Sequence, residues 1–159
     1  MVSLQRPAAM IRDDIKAALI GAMKGGDKAA TGTIRLIQSA IQNRDIELRT
    51  GTPPADDDAL VTEVLQKMIK QRRESVELYR KGEREELAAI EEAEIVVIER
   101  FLPAQLSDEE ARAAIEGIIA ELGAGSMKDM GRVMAAVKER YPMAIEPARA
   151  SALVRGLLG

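Results

Sequence analysis

Apolar residues recur along this chain every three to four positions, and each recurrence is cut short by glycine or proline. That pattern specifies amphipathic helices separated by sharp stops. No run shows the two-residue alternation of a half-buried strand. The expected fold class is all-α, and what remains is how the helices are grouped.

The first segment runs from about Pro7 to Lys24, with Met10 or Ile11, Ile15, Ala18 or Leu19, and Ala22 or Met23 on one side. Gly25 and Gly26 end it. The second runs from about Lys28 to Arg49 on a stripe of Ile34, Ile37, Ile41 and Leu48. Gly51, Pro53 and Pro54 break the chain, and Asp57 or Asp58 is the expected N-cap of the next helix. The third and longest segment spans about Ala59 to Lys81. On a wheel of about 100° per residue, Leu60, Val61, Val64, Leu65, Met68, Ile69, Val76, Leu78 and Tyr79 fill one half. A fourth, acidic in its first half, runs from about Glu83 to Leu102 and stops at Pro103.

Beyond Pro103 the elements become shorter and better capped. Ser107 and Glu110 have capping-box spacing, and Gly123 and Gly125 close the helix they open. A helix starting near Ser126 carries Met130, Val133, Met134, Val137 and Tyr141 on one face. Pro147 suits the first turn of a last helix with Ala150, Leu153, Val154 and Leu157 inside. The expectation is a long antiparallel helical domain over residues 1–102 and a small three-helix tail over residues 103–159.

Composition narrows the chemistry. The only aromatic residues are Tyr79, Phe101 and Tyr141, so both cores must be aliphatic, and the case for a base-stacking platform for single strands is weakened. With neither cysteine nor histidine there is no disulfide, thiol nucleophile or imidazole base. Only carboxylates could hold a metal. Consecutive Asp56, Asp57 and Asp58 in a loop lack the fixed geometry a cation needs, and the Glu83–Glu94 stretch has no histidine to complete a di-iron set. No metal or cofactor is expected. The serines have no histidine to activate them; a Ser–Lys pair stays open in principle, but nothing places a serine on a strained elbow, and Gly123–Ser126 follows no strand and carries no P-loop lysine. The amino terminus lacks a signal-peptide core and no stretch reaches the roughly 20 apolar residues of a membrane span, so a cytoplasmic protein is expected.

A formal charge of −3 leaves nucleic-acid binding to local patches. One is the third segment, where Lys67, Lys70, Arg73, Arg80 and Lys81 lie within an arc of about 140°, joined by Arg84 if the helix passes Gly82. Glu63, Glu74 and Glu77 share that arc. Glu63–Lys67 and Glu77–Lys81 have the spacing of internal ion pairs, so a salt-bridged, solvated face is the competing reading. Arg72, off the arc, is placed for a helix–helix contact. The other patch is in the tail. Lys128 and Arg132 lie opposite the apolar face, beside Gly131, Ala135 and Ala136, with Lys138 and Arg140 further along.

Four stretches then identify a resemblance. Ile34–Arg44, Glu63–Ser75, Glu91–Glu94 with Leu102–Leu106, and Ser126–Met134 resemble, in order, the GatB/YqeY family and its stand-alone YqeY-like members. The resemblance implies a helical amino-terminal domain and a tail similar to the end of the B subunit of glutamine-dependent aspartyl/glutamyl-tRNA amidotransferase. That tail helps engage tRNA, and the family is filed among carbon–nitrogen ligases with glutamine as amido-N-donor. The ligase chemistry itself belongs to parts this chain lacks. By resemblance the tRNA contact carries over to Lys128 and Arg132, with Lys138 beside them. The family's Gly-Arg-Ala-Asp-like turn is replaced here by Tyr141–Pro147, with Arg149 nearby. The expected function is a non-catalytic accessory module for tRNA handling, its partner tRNA or a tRNA-handling enzyme. The alternative is a helical protein-interaction module without RNA binding.

Overall fold

The computed structural model describes residues 10–51 and 56–159. Among them, seven helices follow one another with no strand: α1 Met10–Lys24, α2 Lys28–Glu47, α3 Asp57–Lys81, α4 Glu85–Glu99, α5 Asp108–Leu122, α6 Met130–Arg140 and α7 Pro147–Leu158. Short 3-10 turns follow α2 at Leu48–Thr50 and precede α6 at Met127–Asp129. The chain divides into a unit ending at Leu102 and a second unit, Pro103–Gly159. The expected start near Pro7 and the Pro53–Pro54 break lie outside the described residues.

The first unit closes over an aliphatic core in which Ile15, Ile37, Val61, Leu65 and Ile98 are fully buried. Its turns explain its antiparallel course. Gly26, at φ +70°, lets the Asp27 N–H reach back to the Ala22 carbonyl at 2.9 Å. The Asp27 carboxylate then caps α2 by accepting from the Ala30 N–H at 3.0 Å.

The three aspartates before α3 divide the work differently from expectation. Asp56 is the N-cap, accepting from the Asp58 N–H at 3.0 Å. Asp57 and Asp58 are drawn to α1 instead. Asp58 accepts from the Ile11 N–H at 3.0 Å and so satisfies an orphan donor of α1. Asp57 shares Arg12 with Asp45: the guanidinium lies 2.9 Å from each carboxylate and locks α1 to the end of α2 and the start of α3.

At its other end α3 stops at Lys81, so Arg84 leaves the helix and pairs with Glu86 at 2.8 Å. The reversal places Glu83, not Gly82, in the left-handed region at φ 57°. The Arg84 N–H donates to the Tyr79 carbonyl at 2.7 Å. Leu78, expected inside, is 69% exposed, whereas Thr62 and Gln66 are buried. Arg72 crosses to Glu94 of α4 at 3.2 Å, the helix–helix contact its position suggested.

The second unit has its own core, with Ile115, Val133 and Val154 at 0% exposure. Ser107 and Glu110 form the expected capping box, and Gly123 ends α5 at φ +65°. Pro147 opens α7. The entering segment is tied down when the Leu106 N–H donates to the Ala144 carbonyl at 2.9 Å. Arg149 pins the same place, donating to the Leu106 carbonyl and pairing with Asp108 at 3.3 Å.

Candidate nucleic-acid interface

The outward face of α6 is set by its inward one. Val133 and Val137 are buried, and Met130, Met134 and Tyr141 pack against the same core. Gly131, Arg132, Ala135 and Lys138 are thereby turned to solvent, with Lys128 in the preceding 3-10 turn. At helical pitch these five positions occupy an arc of about 120°. A Cβ built on Gly131 would meet nothing within 4 Å, so the centre of the face is smooth and open. A polyanion backbone could lie against it between the flanking cations.

Asp129 organises the edge of this face. Its carboxylate accepts from the Gly125 N–H at 3.0 Å and holds the Arg132 guanidinium at 3.1 Å. The Gly125 N–H, with smaller help from the Ser126 N–H and Arg132, keeps the Asp129 carboxyl below the usual aspartate range. The start near Ser126 differs from expectation. The Ser126 side chain makes no capping bond; Asp129 instead ties down the loop from within the 3-10 turn. Lys128 and Lys138 form no ion pair among the described residues, while Arg132 is partly neutralised by its own neighbour. Arg140 leaves the face altogether: Glu121 of α5 binds its guanidinium bidentately, and the arginine in turn holds the Glu121 carboxyl down.

The basic arc of α3 is reduced by the acids of α4. Arg73 pairs with Glu99 at 3.4 Å, and Arg80 with Glu85 at 3.2 Å and with Glu92. Lys67, Lys70 and Lys81 keep their charge free of ion pairs among the described residues. The internal Glu63–Lys67 and Glu77–Lys81 pairs do not close; Glu63 turns to Arg44 of α2 at 3.7 Å. The pairing is therefore mostly between helices, which spacing within one helix does not reveal. Among the described residues no cluster of three or more acidic side chains could hold a metal, and no helix is long and apolar enough to cross a membrane.

Residues 12–158, hence both units, match the Yqey-like protein family. The chain belongs to the YqeY-like family. Among this family member's relatives is a protein of Pyrenophora tritici-repentis named altered inheritance of mitochondria protein 41, mitochondrial. It is 33% identical over 145 residues, covering 87% of this chain and 77% of the relative. A protein of the same name from Lachancea thermotolerans is 31% identical over 72% of this chain and 58% of its own length. An uncharacterised protein of Schizosaccharomyces pombe is 33% identical over 59% of this chain and 73% of its own.

Proposed function

We propose that this YqeY-like protein is a non-catalytic accessory module that engages tRNA through the α6 face of its second unit, in support of tRNA-dependent amidation. The observation that carries the reading is the open Gly131–Ala135 surface flanked by Lys128, Arg132 and Lys138. Small residues let a phosphate backbone approach, and the cations contact it. The amide-transfer chemistry is assigned to a partner enzyme with glutamine as donor. The setting proposed for it is the cytoplasm; the two fungal relatives named for mitochondrial inheritance carry a mitochondrial label. A protein-interaction role is the second reading, favoured by an apolar groove between α2 and α4 of the first unit.

The test is fluorescence anisotropy with total tRNA across a salt series. Two to three phosphate contacts give a log–log salt slope of roughly −2 to −3. The double variant Lys128→Glu/Arg132→Glu loses binding. Because Arg132 also pairs with Asp129, Lys128→Glu/Lys138→Glu is the companion variant that leaves that pair intact. Absence of binding at low salt, or binding indifferent to both variants, overturns the reading.

A further inference from the structure

We infer that the groove between α2 and α4 of the first unit is a docking site for an acidic amphipathic helix of a partner protein. The α4 helix is apolar on two sides. Ala88, Ile95 and Ile98 face the core. Ile90, Ala93 and Val96 face outward, with Ile90 57% and Val96 55% exposed. α4 also carries six glutamates, but this second apolar strip between them has no packing partner among the described residues of its unit. Leu36 of α2, 50% exposed, extends the same surface. Together they line a groove of about 860 Å³.

Its dimensions select the occupant. From Ile90 to Arg100 the wall is about 15 Å long, three turns of helix. Ala29 and Gly32 on the opposite wall have almost no side chain, so a helix can approach closely. Apolar anchors at i, i+4 and i+7 would meet Leu36, Ile90 and Val96.

The rim selects its charge. Two anions and two cations line the groove. Both anions are engaged internally: Asp27 caps α2, and Glu94 is held by Arg72. Lys28 and Arg100 form no ion pair among the described residues. α2 and α4 each run antiparallel to α3, so they are parallel to one another, and Lys28 and Arg100 stand at opposite ends of the groove. The rim therefore carries a net positive charge: Arg100 is unpaired at one end, and at the other Lys28 stands beside the α2 N-terminus, whose partial positive charge faces the Asp27 carboxylate. Carboxylates flanking an apolar stripe complement it. A second copy would bring the same unpaired cations together, which disfavours self-association through this face.

The probes are two synthetic helical peptides of about 14 residues, with leucine at i, i+4 and i+7. One carries glutamate and the other lysine at the flanking positions. They are titrated into the full chain by fluorescence anisotropy, with backbone amide shifts as the map. The glutamate peptide binds about tenfold more tightly than the lysine peptide, from two rim pairs. Shifts are confined to residues 27–36 and 90–100. Leu36→Gln/Val96→Gln, both at exposed positions, abolishes binding with the circular dichroism unchanged. Lys28→Glu/Arg100→Glu inverts the preference between the peptides. Overturning results are equal binding of the two peptides, binding of neither, shifts elsewhere, or a concentration-dependent dimer broken by the Leu36/Val96 variant.

Discussion

Replacing Glu83 by glycine stabilises the first unit. Glu83 sits at φ 57°, the one non-glycine residue with positive φ among the described residues. An L-residue there carries roughly 1–2 kcal/mol of steric strain. Glycine removes that strain but loses about 0.5–1 kcal/mol more backbone entropy on folding. The net gain is about 0.5–1 kcal/mol, or a Tm increase of roughly 4 °C for a unit of this size. Nothing offsets it from the side chain, because the Glu83 carboxylate holds no hydrogen bond or ion pair among the described residues. Thermal and urea unfolding followed by circular dichroism measures the gain, with an unchanged urea slope as the check on two-state behaviour. Two controls separate backbone from charge. Glu83→Ala removes a carboxylate near Glu85 and Glu86 but keeps the left-handed strain, so it changes stability by only a few tenths of a kcal/mol. Gly82→Ala is tolerated, since its Cβ would lie 3.5 Å from the Leu78 carbonyl, in ordinary contact, and its φ of −86° suits any residue. If Glu83→Ala gains as much as Glu83→Gly, the strain argument is wrong and charge repulsion is the cause.

Three further outcomes rest on the packing and capping. Ile115→Ala leaves a cavity at a fully buried site and costs about 2–5 kcal/mol, enough to unfold a unit of 57 residues; limited proteolysis should then remove residues beyond Pro103 and spare the first unit, and equal loss of both contradicts separate cores. Arg12→Met strips the shared partner from Asp45 and Asp57 and costs about 1–2 kcal/mol, a deficit that shrinks at high salt in urea titrations; a salt-independent deficit points to packing instead. Asp129 titrates below its ordinary value of 3.8 because the Gly125 N–H favours the carboxylate. A depressed folded pKa contributes stability that is present above the unfolded value and is lost as pH falls through the folded one. In an NMR titration the Gly125 amide follows that same midpoint, and a midpoint at or above 3.8 contradicts the Gly125–Asp129 hydrogen bond.

The helices were legible because their information is local. Gly26, Gly123, Pro147 and the Ser107–Glu110 box mark ends that the structure uses as written. What escaped was decided between helices. Nothing in three consecutive aspartates says which one caps α3; Arg12 and the Ile11 N–H settle it by taking Asp57 and Asp58 away. The α3 arc reads as continuous because Arg73 and Arg80 find their acids only across the hairpin, on α4 or at its start. Leu78 matches the apolar half-wheel yet lies outside, near the end of α3, while Thr62 and Gln66 go inside. The α6 face was readable from spacing, and so was the i,i+3 relation of Asp129 to Arg132 that offsets part of its charge. The outward stripe of α4 was also in plain sight, as Ile90, Ala93 and Val96 off the core face.

The scarcity of aromatic side chains has an optical consequence. The chain has no tryptophan, and its two tyrosines are shared one to each unit: Tyr79 packs against the first core and Tyr141 against the second. Excitation near 280 nm therefore addresses two fluorophores with no brighter residue to mask them. With Tyr141→Phe the emission reports the first unit alone, and with Tyr79→Phe the second. The molecule thus reports the melting of each half without a label.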